Sequence, residues 1–158
     1  MRSAAVITVS DRAAAGARVD TAGPVAVSAL RQAGFACAPA RVVPDGAEPV
    51  AAAIRAAIAE GARLVVTTGG TGIGPRDRTP EGTRTVVERE VPGLAERIRA
   101  EGAARVPTAV LGRGVAGVAG TALVVNLPGS AAAVTDGIAV ILQVAPHALD
   151  QLEGGDHG

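Results

Sequence analysis

The sequence predicts an α/β fold: a mostly parallel sheet with helices on both faces and one antiparallel strand. Three observations carry this expectation. Short apolar runs rich in β-branched residues alternate with longer segments of helical spacing. Glycine- and proline-containing turns, at Gly34, Pro44-Asp45-Gly46 and Gly61, mark where one kind of segment gives way to the other. Towards the C-terminus two apolar segments flank Ala119-Gly120-Thr121, a hairpin signal that requires one reversed strand.

The elements follow in order. Ala4–Val9 reads as a buried strand, followed by a loop from Ser10 to Asp20. A helix of about Thr21 to Ala33 tolerates Pro24 in its first turn and closes at Gly34. Ala36–Val43 reads as a second strand, stopped by Pro44-Asp45-Gly46. Val50, Ile54, Ala57 and Ile58 keep helical spacing up to Gly61, and Leu64–Thr68 is a third strand. Thr79-Pro80-Glu81 reads as a helix start, with Thr79 as N-cap and Pro80 as first helical residue. Pro92-Gly93 interrupts, and Leu94 to Glu101 is a further helical piece. After the hairpin of Val115–Val118 and Ala122–Asn126, Ser130 caps a long helix with Val134, Ile138, Ile141, Ala145, Leu149 and Leu152 on one stripe. Residues 1–153 read as one domain and residues 154–158 as a frayed tail.

Composition narrows the chemistry. Fifteen basic residues balance fifteen acidic ones, so no electrostatic footprint for nucleic acid or an anionic membrane is expected. No apolar run is expected to reach the ~20 residues of a membrane span, and the N-terminus has no signal-peptide pattern. The single cysteine, Cys37, cannot form an internal disulfide, so a cytoplasmic setting is expected. Every cation is arginine; lysine, tyrosine and tryptophan are absent, Phe35 is the one phenylalanine, and the histidines are His147 and His157. Schiff bases, base-stacking platforms and Cys/His zinc sites are thereby excluded. What remains, carboxylates, hydroxyls, arginines and backbone N–H groups, suits phosphate and a hard divalent cation.

The stretch Thr67-Thr68-Gly69-Gly70-Thr71-Gly72 leaves the third strand and runs into Pro75-Arg76-Asp77. It is not a P-loop, because there is no lysine, and it does not fit G-x-G-x-x-G in either register. Consecutive glycines leave N–H groups bare and admit close approach of a ligand, although a flexible turn reads equally well from the glycines alone. Asp77 between two arginines favours a site. Ligands in open sheets of this kind bind beyond the carboxyl ends of the strands. Four such exits, Ser10-Asp11, Asp45, the glycine stretch and Asn126–Ser130, are expected to share one rim.

These motifs, with Thr8-Val9-Ser10-Asp11-Arg12, Gly16, Asp20, Gly23, Val43-Pro44-Asp45, Thr79-Pro80-Glu81, Pro92-Gly93-Leu94 and Asn126-Leu127-Pro128-Gly129-Ser130, resemble the molybdenum-cofactor biosynthesis family of MoaB/Mog type across nearly the whole chain. The resemblance implies a molybdopterin adenylyltransferase that uses ATP and Mg²⁺ to attach AMP to the terminal phosphate of molybdopterin, releasing pyrophosphate. The product passes to a molybdate-insertion protein. It also implies a homotrimer or hexamer. It places catalysis and metal binding on Asp45 and Asp77, and substrate binding on Ser10, Asp11, Gly69, Gly70, Thr71, Gly72, Asn126, Pro128, Gly129 and Ser130, with Arg113 available for a phosphate. Several have a plainer reading: Asp45 as a turn residue, Asp77 as an ion-pair partner of Arg76 or Arg78, Ser10 or Asp11 as a cap of the following turn, Ser130 as a helix cap, Glu81 as a helix-end charge. The chain departs from the family pattern at Gly46, where many relatives have a second acid, at Ala131, and at Gly112, where they often have serine. A non-catalytic molybdopterin-binding or carrier module is the alternative function.

Overall fold

The computed structural model describes residues 1–155. Strand β1 (Ser3–Val9) leads through a short helix α1 (Asp11–Ala14) to α2 (Ala22–Gln32). Then come β2 (Ala36–Cys37), β3 (Arg41–Val43), α3 (Ala47–Ala59), β4 (Leu64–Thr68) and α4 (Thr79–Arg84). The chain continues with β5 (Arg89–Glu90), α5 (Pro92–Arg105), a 3₁₀ turn (Pro107–Leu111), β6 (Ala116–Ala119), β7 (Ala122–Leu127) and α6 (Ala131–Leu152).

The sheet runs β2-β1-β4-β7-β6-β5, with β3 pairing β1 beyond β2. β1 pairs in parallel with β2, β3 and β4, and β4 with β7; β6 is antiparallel to both neighbours. The reversed strand is therefore β6, turned by Gly120 at φ +57, as the hairpin signal predicts. Side chains alternate between two apolar layers. Ala4, Val6, Leu64, Val66, Leu123 and Val125 face α2, α5 and α6. Ile7, Val9, Val65 and Val124 face α3.

Several boundaries differ from the sequence reading. The expected strand 36–43 is broken at Ala38-Pro39-Ala40, where Pro39 has no N–H for a ladder. The loop after β1 contains α1, because the Ser10 hydroxyl accepts the Ala13 N–H at 3.1 Å. Thr79 is not the cap of α4 but its first residue, Arg78 preceding it. The Thr79 hydroxyl donates instead to the Gly69 carbonyl at 2.9 Å. α5 starts at Pro92 rather than Leu94 and runs to Arg105; the 3₁₀ turn after it has no apolar periodicity that could have announced it.

α6 needs a further correction. It has 22 residues and contains an 18-residue stretch of mean hydropathy 1.4, long and apolar enough to cross a bilayer. Its stripe Val134, Ile138, Ile141, Ala145 and Leu149 is instead buried against the sheet, α2 and α5. Pro146 sits within it on the exposed side. Gly154 and Gly155 close it by donating to Gln151 and Asp150 carbonyls. The remainder of the expected tail, 156–158 with His157, lies outside the described residues.

Gly82 marks a close contact between α4 and α3. A Cβ there would sit 2.4 Å from the Ala47 carbonyl oxygen of α3. Alanine gains about 1 kcal/mol over glycine in a helix interior, but a clash with backbone cannot be relieved by a rotamer change. Gly82→Ala should destabilise by about 1–3 kcal/mol, read as a lower urea midpoint at unchanged slope; an unchanged or raised midpoint would contradict this packing.

Candidate active site

Sheet order sets the site. The parallel strands β3, β1, β4 and β7 all end on one rim, so their exits lie side by side: Asp45, Ser10-Asp11, the glycine loop, then Asn126–Ser130. Connections leave β1 towards β3 on one side and β4 on the other, which puts the strand-order reversal beside the glycine loop.

The glycine loop is held rather than floppy. Gly69 donates to the Leu127 carbonyl at 3.0 Å, and its own carbonyl accepts the Thr79 hydroxyl. Gly70 accepts the Thr79 N–H at 3.1 Å, and Thr71 accepts the Arg113 N–H at 2.8 Å. Both Gly69 (φ +97) and Gly70 (φ +69) adopt the left-handed region. A Cβ on Gly69 would lie 2.3 Å from the Val9 carbonyl oxygen, so only glycine fits between β4 and β1. The N–H groups of Gly70, Thr71 and Gly72, and the Thr71 hydroxyl, have no acceptor or partner among the described residues. Gly129 packs against Gly69, a Cβ there falling 3.3 Å from its Cα. Ser130 caps α6 by accepting the Ala133 N–H at 3.1 Å, so the positive end of a 22-residue helix adjoins the bare N–H groups.

The carboxylates form one network. Asp11 and Asp45 exchange bonds: each backbone N–H donates to the other's side chain at 3.0 Å. Arg76 donates to both oxygens of Asp11, at 3.0 and 3.1 Å, and to the Asp45 carbonyl. Arg76 therefore pairs with Asp11, not with Asp77. This arginine holds the Asp11 carboxyl below the usual range. Asp45 moves the other way: burial pushes it up, and the neighbouring charges of Asp11 and Asp77 add to the rise. Asp45 Oδ2 is engaged by Asp11, while Oδ1 faces Gly70, 3.2 Å from where a Cβ would lie. Asp77 Oδ2 accepts the Gly74 N–H at 2.9 Å, and Oδ1 has no partner among the described residues. Asp45 and Asp77 thus each use one oxygen to hold structure and keep the other free.

Among the described residues no three His, Cys, Asp or Glu side chains cluster into a metal cage. Two carboxylates with free oxygens beside bare N–H groups fit a different arrangement, a Mg²⁺ held by one or two carboxylates and completed by phosphate oxygens and water.

Beyond the glycine loop, on the β7 side, lies a cavity of about 470 Å³ enclosed by α5, the 3₁₀ turn and the start of α6. Gly69–Gly72, Asp77, Asn126 and Pro128–Ser130 line it; Ser10, Asp11 and Asp45 do not. Asn126 is buried and fully committed: its amide donates to the Thr67 and Thr83 hydroxyls at 2.9 and 3.0 Å, and its oxygen accepts the Val115 N–H. Arg113, expected to be available for phosphate, is also engaged. It donates to Glu81 at 2.7 Å and to the carbonyls of Gly72 and Asp77 at 2.9 Å. It braces the loop from behind, and Glu81, held below its usual range by that arginine, is its counter-charge. Gly112 has φ −65, ψ 134, ordinary backbone that a serine could adopt. Sequence reasoning missed Arg99, Arg105 and Asp136, which also line the cavity. They stand on α5 and α6 outside any local motif, so nothing short of the tertiary fold brings them here.

Residues 5–147 match the family model described as a probable molybdopterin binding domain. The chain is 42% identical over 98% of its length to a molybdenum cofactor biosynthesis bifunctional protein of Synechococcus elongatus, but spans only 49% of that relative. It is 38% identical over 83% of its length to a molybdopterin adenylyltransferase of Haemophilus influenzae, covering 68% of it. The molybdopterin biosynthesis Mog protein of Mycobacterium ulcerans superposes with a TM-score of 0.91 at 49% identity, over 96% of this chain and 99% of that one.

The raised pKa of Asp45 has a consequence for stability. A carboxyl whose pKa is higher folded than unfolded opposes folding once ionised, so its penalty is absent at low pH and grows as pH rises through the carboxylate range. Asp45→Asn keeps the shape and the bond from Asp11. It should raise the melting temperature near pH 7, with the gain shrinking towards pH ~3. A gain independent of pH, or a loss at pH 7, would contradict the burial argument.

Proposed function

The chain belongs to the family of probable molybdopterin binding domains, and on that premise we propose that it acts in molybdenum-cofactor biosynthesis as a molybdopterin adenylyltransferase. One observation carries the proposal: two aspartates each present a free oxygen beside three unpaired backbone N–H groups. A terminal phosphate oxygen of molybdopterin attacks the α-phosphorus of ATP, the new P–O bond forms, and the bond to pyrophosphate breaks. Attacker and triphosphate are both anionic, so positioning and charge neutralisation are the whole task.

The N–H groups of Gly70, Thr71 and Gly72 and the start of α6 receive phosphate oxygens without a side-chain cation. Thr71 adds a hydroxyl donor. Asp45 and Asp77 would hold a Mg²⁺ ion, which when bound would neutralise phosphate charge. Asp11 and Arg76 act one step removed, fixing Asp45 in place. Arg113 keeps the loop shaped while its guanidinium stays turned to Glu81. The apolar cavity next to the loop takes the flat pterin end. A cytoplasmic enzyme that hands its product to a molybdate-insertion partner completes the reading. A non-catalytic carrier on the same fold would bind pterin without turnover; retention of both aspartates supports the enzyme.

We also infer a homotrimer. A surface that leaves Val91 and Val144 exposed beside a groove lined by Leu94, Val118 and Val140 supports association through small side chains. Light scattering at micromolar concentration should give three times the chain mass; a monomer would refute the assembly.

For the chemistry, Asp77→Asn and Asp45→Asn should each lower Mg²⁺-dependent adenylylation about a hundredfold or more, near 2.7 kcal/mol of transition-state stabilisation. Melting temperatures should not fall comparably. Turnover kept within a few-fold, with stability lost instead, would make the aspartates structural.

A further inference from the structure

We propose that Asp136 recognises the pterin ring, its carboxylate accepting the two adjacent N–H groups of the 2-amino-4-oxo edge. The inference rests on the proposed function and adds a specificity-determining residue to it.

The cavity walls are largely small or apolar, among them Ala95, Ile98, Ala109 and Leu111. Such walls suit the faces of a flat heterocycle but cannot distinguish one ring from another; that task falls to the few polar groups that meet its edge. Among the described residues two carboxylates line the cavity. Asp77 lies at the glycine loop and is tied to Gly74. Asp136 lies on α6, six residues past the cap Ser130, which is about 9 Å along the helix at 1.5 Å per residue. Since Gly129 packs on Gly69, a ligand with its phosphate at the glycine loop would extend its ring along α6 towards Asp136.

One oxygen of this carboxylate is free to bind. Its Oδ2 meets Arg105 Nε at 3.3 Å, and Oδ1 has no partner among the described residues. The Arg105 side chain is 70% exposed against 20% for Asp136, so the pair sits at the mouth with the arginine largely in water and yields readily. The other cavity arginine, Arg99, is turned to the wall, where it donates to the Gly112 and Gly114 carbonyls at 3.2 and 3.1 Å. The pterin edge presents two parallel N–H donors, the same fork by which a guanidinium meets a carboxylate, so one aspartate satisfies both. Ring and acid match as a pair of donors and a pair of acceptors.

The test titrates the 158-residue chain with 6-hydroxymethylpterin and with the analogue whose 2-amino group is replaced by oxygen, following ligand fluorescence. The wild type should prefer the pterin by about tenfold or more, because a site built to accept an N–H rejects an oxygen in its place. Asp136→Asn should lose that preference through weaker pterin binding, and Asp136→Ser carries the same comparison if the asparagine variant fails to fold. Arg105→Ala should keep the preference. If Arg105→Ala abolished it as well, Asp136 would act only by placing Arg105, and the assignment would be overturned. An undiminished preference in Asp136→Asn, or no preference in the wild type that nonetheless binds both ligands, would overturn the assignment and leave the proposed function standing. A wild type that binds neither ligand would remove both.

Discussion

The site depends on the close approach of β4 to β1 at the point where β4 ends. The Gly69 α-carbon lies so near the Val9 carbonyl that any side chain would overlap it. The chain can turn there only through two successive left-handed residues. From this turn follow the bare N–H groups, the seat for Gly129 against Gly69, and the entry of α4 through Thr79, whose hydroxyl and N–H close on the two glycine carbonyls. A short helix whose first residue is tied to the loop cannot drift away from it, so the loop is fixed at both ends before any ligand arrives.

Around that turn the charges are arranged in tension. Arg76 satisfies Asp11, Asp11 holds Asp45, and Asp45 is left partly desolvated beside two other acids. Such a carboxylate opposes folding when ionised, and a cation or a phosphate-bound metal would relieve it. Arg113 and Glu81 do the reverse job on the other flank. They neutralise each other and brace the loop, leaving its N–H groups as the positive element that faces the cavity.

Much of this was legible. The glycine stretch, the strand that carries it and the hairpin that reverses β6 all depend on local rules, the turn preference of glycine and the period of buried strands, and they lie where those rules put them. The plainer readings fared unevenly. Ser130 does cap α6; Glu81 stands in the first turn of α4 but is paired with Arg113, and the Asp77 carboxylate has no arginine partner among the described residues. Thr79 misled because a threonine before Pro-Glu has the chemistry of an N-cap, yet a tertiary acceptor, the Gly69 carbonyl, competes successfully for its hydroxyl.

What the sequence by itself determined is the order of elements, the rim they share and the residue types that meet there, because periodicity and turn chemistry act over a few residues. Which of those residues keep their polar groups free was decided by the tertiary structure. Asn126 and Arg113 stand in motifs that suggest ligand contacts, yet partners more than thirty residues away in the chain claim their donors. Asp136 stands in no motif and faces the cavity only because α6 packs against α5. Hydrogen-bonding capacity is assigned by neighbours in space, and a linear sequence names the candidates without naming their neighbours.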